Sequence, residues 1–130
     1  RRRSIYFMIK RSRLIPIMQV FDQPEPLVSQ GSRPSTTIAP QALLFMNNPQ
    51  VVKWAHGLAQ NLDASQPDEA IRQLYLRTLT REPTLAELTN SRAFFDSQST
   101  SYSKEKNAAQ LALADLCQVM LSLNEFIYLP

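Results

Sequence analysis

The sequence predicts an all-α fold of about five packed helices, entered through an irregular, proline-rich N-terminal arm. Three observations carry this expectation. Apolar residues recur at i, i+3 and i+4 from about residue 50 to the C-terminus. Nine prolines against two glycines suit helices joined by rigid connections. Helix-start signals stand ahead of the apolar runs: Asn48-Pro49, Pro67-Asp68-Glu69 and Thr84-x-x-Glu87. A length of 130 residues with 44% hydrophobic content is enough for one domain with a modest core.

The elements follow in order. Residues 4–21, SIYFMIKRSRLIPIMQVF, fit a helix through Ile5, Met8 and Ile9, and a strand through Ile5, Phe7 and Ile9. The spacing leaves both open, and Pro16 is expected to end either. Residues 22–35, DQPEPLVSQGSRPS, hold three prolines and a glycine and read as an ordered, irregular connection. Residues 1–35 thus form a basic arm and connection, and residues 36–130 a single compact helical domain.

The first helix of that domain, about 38–48, takes Thr36 or Thr37 as cap and Pro40 in its opening turn. Asn48 caps the next helix, where Val51, Val52, Ala55, Leu58, Ala59 and Leu62 make an amphipathic stripe beside Trp54. A third helix starts at Pro67 and buries Ile71, Leu74, Tyr75, Thr78 and Leu79. The capping box at Thr84 and Glu87 opens a fourth, with Leu85, Leu88 and Phe95 pointing inward. DSQSTSYS, residues 96–103, reads as a polar loop. The last helix, about 104–123, is apolar almost all round and is therefore expected at the centre.

Charge is unevenly spread. Residues 1–35 carry Arg1, Arg2, Arg3, Lys10, Arg11, Arg13 and Arg33 against Asp22 and Glu25, a balance of +5. Residues 36–130 carry seven bases against nine acids, a balance of −2. The basic start, with Tyr6 and Phe7, is the feature that would serve nucleic acid. Nucleic acid is nonetheless not an expected partner, because the remainder is acidic and no helix carries a basic face. Cys117 is the single cysteine, so no intramolecular disulfide forms. No apolar run is long enough to span a membrane. The opening RRRSIYFMIKRS carries no initiator methionine, and the chain is read as a piece of a larger protein.

Chemistry is sparse. His56 has no second histidine or cysteine at ligand spacing, Cys117 is followed by Gln-Val-Met rather than a haem-attachment pattern, and no glycine-rich phosphate loop is present. No metal site, cofactor site or self-contained catalytic set is therefore expected. Cys117 sits among leucines and reads as a small core residue. Asp115 lies within the apolar last helix, where an unpaired carboxylate would cost several kcal/mol. Arg77 or Arg81 is the expected partner, in an ion pair that sets helix register. Gln41 and Asn47 are the two polar groups on helix 38–48 that capping leaves unexplained. Both are expected to tie down the irregular backbone at 22–35, with ligand contact as the second reading.

Four stretches carry a resemblance: RRSIYFMIKRS (2–12), FDQPEP (21–26) running on to TTIAPQALLFMNNP (36–49), YLRTLTREPTLAE (75–87) and DLCQVMLSLNEFIY (115–128). In order and spacing they are similar to the C-terminal part of the planctomycete-specific domain of unknown function found in cytochrome-c-linked secreted proteins. The likeness spans nearly all of the chain and the later half of that domain. It implies export to the periplasm or cell surface, with haem in a separate upstream domain and other domains of the parent protein as partners. Lys10, Arg11, Asp22, Arg33, Gln41 and Asn47 fall on the matching positions and are the candidate polar cluster or binding set. Ser29 stands where many relatives have cysteine, and Ser32-Arg33 where they have an arginine pair, so a role for that thiol is in doubt here. The expected function is a C-terminal helical module for scaffolding or protein interaction. The alternatives are part of a polysaccharide- or redox-related enzyme completed by upstream domains, and nucleic-acid binding through the basic start.

Overall fold

Prolines set most of the helix starts. The computed structural model describes residues 6, 8, 10, 15–21, 23, 31 and 39–128. Pro16 opens α1 (Pro16–Val20), Pro40 is second in α2 (Ala39–Asn47), Pro49 opens α3 (Pro49–Ala59) and Pro67 opens α4 (Pro67–Leu79). At these positions the missing N–H would have had no helical partner, and the fixed φ suits the first turn. Then follow α5 (Leu85–Ser101), α6 (Ala108–Leu121) and the short α7 (Asn124–Ile127). No strand occurs among the described residues, and the all-α expectation holds. Five of the seven helices among the described residues have nine residues or more.

The chain divides into two compact units, Arg1–Leu44 and Phe45–Pro130, with the division inside α2. In the first unit Pro16 starts a helix instead of ending one. Pro16 takes the first helical position, after Ile15 in extended conformation, where a missing N–H removes no helical bond. The candidate caps Thr36 and Thr37 lie outside the described residues.

In the second unit α6 is the element the others share: it packs against α3, α4, α5 and α7. Ile71, Leu74, Leu113, Met120, Val51 and Cys117 are the largest side chains in full burial. Each such aliphatic side chain contributes about 1.5–3 kcal/mol relative to exposure. Local signals support these helices. Asn48 Oδ1 accepts from the Gln50 N–H at 2.8 Å. Thr84 and Glu87 complete a reciprocal capping box, with Glu87 Oε2 on the Thr84 N–H at 2.7 Å.

Three expectations are corrected here. Residues 96–101 are the last turns of α5, not a loop. The hydroxyls of Thr100 and Ser101 donate to the carbonyls of Asp96 and Ser97, satisfying helical backbone that the polar composition had suggested was irregular. The last long helix begins at Ala108 and ends at Leu121, and Val119 on it is 43% exposed, so burial is not all round. Leu85 is 82% exposed. Leu88, Ser91 and Phe95 share a face of α5 at seven- and four-residue spacing, and Leu85 falls roughly 80° round the helix from Phe95.

Leu113→Ala is expected to lower unfolding stability by about 2–5 kcal/mol. Leu85→Ala is expected to stay within about 0.5 kcal/mol. Urea denaturation of the two variants checks the contrast, and a large loss at Leu85 would contradict its position.

Candidate functional site

The sharpest polar geometry lies at the turn between α4 and α5. Thr80 adopts φ 57° and ψ 20°, a left-handed conformation that costs a β-branched residue about 1–2 kcal/mol. The reversal carries Arg81 to the junction of α4, α5 and α7. All five guanidinium N–H groups are then used. Nε and Nη2 grip Glu125 at 2.7 and 2.9 Å, and Nη1 and Nη2 grip Glu87 at 2.9 and 2.7 Å. The remaining donor of Nη1 reaches the Glu82 carbonyl at 3.1 Å. The cation also lies 5.6 Å from the centre of the Tyr75 ring.

Electrostatics follow from this geometry. The Arg81 hydrogen bonds, backed by the Thr84 N–H and hydroxyl, hold the Glu87 carboxyl down at about 2. Arg81 likewise lowers Glu125, and the two carboxylates hold Arg81 charged. With every donor engaged, Arg81 offers a substrate nothing. The constellation fastens α7 and the start of α5 to the end of α4.

This disposes of the expected ion pair. Asp115 pairs with neither Arg77 nor Arg81. Its Oδ2 accepts from the Tyr102 hydroxyl at 2.9 Å, and that bond raises the phenol's pKa. Arg77 donates to the Asn61 carbonyl and to Gln73. The physical reason is placement: Arg81 is held at the start of α5 by Glu87, whereas Asp115 meets Tyr102 at the far end of that helix, about 20 Å away along its axis.

Asp115 also lines an open cleft of about 400 Å³ with Met46, Phe94, Gln118, Val119 and Ser122. Gln118 Nε2 donates to the carbonyls of Phe45 and Met46 at the end of α2, groups that a helix leaves without internal partners. Ser122 Oγ donates to the Gln118 carbonyl at 2.8 Å.

Of the six motif positions proposed as a polar cluster, Arg11, Asp22 and Arg33 lie outside the described residues. Lys10 is exposed, and Asn47 is the exposed last residue of α2. Gln41 is 3% exposed, and its Nε2 donates to the Val20 carbonyl at 2.9 Å. This bond ties α2 to α1 within the first unit, and most of the proline-rich connection at 22–35 lies outside the described residues. His56 is exposed, and Cys117 is fully buried with its thiol pushed up to about 12 by desolvation. No group of three or more His, Cys, Asp or Glu residues able to hold a metal occurs among the described residues. Sequence reasoning missed Glu125, Tyr102 and Gln118. Only Gln118 had a readable signal, as an amide inside an apolar helix.

A family model described as PSD1, protein of unknown function (DUF1553), matches residues 1–95. The matched region thus ends within α5, short of the near-complete coverage expected from the four stretches. No curated protein and no solved structure matches the chain.

Because Glu87 is depressed on folding, its contribution is complete above its ordinary 4.5 and is lost as the pH falls from there through about 2. The stability gap between the wild type and Arg81→Met is therefore expected to narrow over that window in urea titrations. A gap independent of pH would contradict the clamp. The Cys117 thiol is expected to resist a disulfide reagent at pH 8 until denaturant is added. Rapid labelling of the folded chain would place it outside the core.

Proposed function

We propose that this chain, which belongs to the PSD1 family of proteins of unknown function (DUF1553), is a helical scaffolding module that binds another polypeptide along the exposed face of α6. One observation carries the reading. α6 is otherwise the most buried helix, yet Val119 and Met46, at 43% and 61% exposure, line one cleft together with Phe94. Apolar side chains grouped in a concavity and edged by polar groups mark a surface that gains by being covered.

The closed Arg81 clamp and the buried Cys117 support interaction over chemistry within this chain. The strongest donor set is consumed internally, and the thiol is held in its unreactive form. The proposed setting is the one the sequence resemblance implies: a larger exported bacterial protein, at the periplasm or cell surface. Its other domains, including an upstream haem domain, are the proposed partners. The described helices include none long and apolar enough to cross a membrane.

Cysteine labelling in the intact protein that contains this chain tests the reading. Val119→Cys and Leu85→Cys both replace exposed apolar residues, and Cys117 is silent. A maleimide is expected to label Val119→Cys many times more slowly than Leu85→Cys, because only the first lies under a partner. Equal rates would sink the proposal.

A further inference from the structure

The cleft over α6 has a polar edge as definite as its apolar walls. Asp115, Gln118, Val119 and Ser122 stand at i, i+3, i+4 and i+7, so they form one continuous face of the helix. The opposite face, with Leu113, Leu116, Cys117 and Met120, is in the core.

Hydrogen bonding on the open face leaves a one-sided remainder. Asp115 gives Oδ2 to Tyr102, and its Oδ1 has no partner among the described residues. Gln118 directs its amide nitrogen to Phe45 and Met46, leaving Oε1. Ser122 donates its only proton to the Gln118 carbonyl, leaving oxygen lone pairs. Every remaining polar group of the face is an acceptor, and one of them is a carboxylate with no ion pair among the described residues. A purely apolar occupant would strip water from that carboxylate without replacing it, and an anion would be repelled. A side chain bearing only donors and a positive charge, on an aliphatic stem, matches both the edge and the walls.

We propose that the cleft docks a partner polypeptide segment presenting an arginine or lysine flanked by apolar residues. The cationic head sits on Asp115 Oδ1, Gln118 Oε1 and Ser122 Oγ, and the stem and neighbours lie along Met46, Phe94 and Val119. This rests on the interaction reading above and adds the chemistry of the partner.

The test titrates the isotope-labelled chain with three capped pentapeptides: Ala-Leu-Arg-Leu-Ala and its versions with norleucine or glutamate at the centre. The arginine peptide is expected to shift the amides of Asp115, Gln118, Val119 and Ser122. Affinity is expected to fall about tenfold with the norleucine peptide and in Asp115→Asn, which keeps an acceptor for Tyr102. Val119→Lys, on the solvent face and one turn from Asp115, supplies a competing ammonium and is expected to expel the arginine peptide. Thermal unfolding of both variants confirms that they are folded. Equal affinity for the arginine and norleucine peptides, preference for glutamate, unchanged binding in Asp115→Asn, or no shift at these amides overturns the cationic assignment. None of these results touches the labelling contrast at Val119→Cys, which judges the interaction reading separately.

Discussion

Everything in the second unit depends on burying the inner face of α6. Leu113, Leu116, Cys117 and Met120 present one apolar surface, and α3, α4 and α5 each bring a complementary stripe to it. The helix also organises its neighbours through polar side chains. Gln110 Nε2 donates to the Ala59 carbonyl at the end of α3, and Gln118 does the same for Phe45 and Met46 at the end of α2. Two glutamines on one helix thus reach C-terminal carbonyls of two others, groups beyond the reach of a helix's own N–H ladder. Burial decides where α6 lies, and these amides fix its register against Phe45, Met46 and α3.

The Arg81 clamp complements this apolar frame at the other end of α4. It converts a sharp left-handed turn at Thr80 into a junction where α4, α5 and α7 meet. Its components are partly exposed, and solvent-facing ion pairs taken singly contribute little. Its weight comes from geometry: one planar fork held by two carboxylates, one of which also caps α5. At the other end of α5 Asp115 meets the neutral Tyr102 hydroxyl, and the α6 face keeps an acidic edge.

Much of the fold was legible in the sequence, and each success had a local cause. Asn48-Pro49, Pro67 and Thr84-x-x-Glu87 locate helix starts because capping and proline geometry involve only three or four consecutive residues. The stripes at Val51, Ala55 and Ala59, and at Ile71, Leu74 and Tyr75, are buried as their periodicity requires. The failures share a cause as well. DSQSTSYS looked like a loop because composition ignores hydroxyl bonds to the preceding turn. Leu85 looked inward because a run of apolar residues was read without the angle between them. Among the site residues, Gln41 was rightly singled out as a buried amide in need of a partner, but the Val20 carbonyl that meets it lies 21 residues away.

What is local could be read from the residues alone: an all-α chain, most helix starts, the buried stripes, a thiol placed in the core and the buried amide at Gln41. The pairings came from packing. Arg81 meets Glu125 across 44 residues, and Asp115 meets Tyr102 across 13. Charge and spacing name the groups that need partners, but which partner each one meets is settled by distance once the helices have packed. Packing placed two carboxylates on Arg81 and set Asp115 beside Tyr102 at the edge of the cleft.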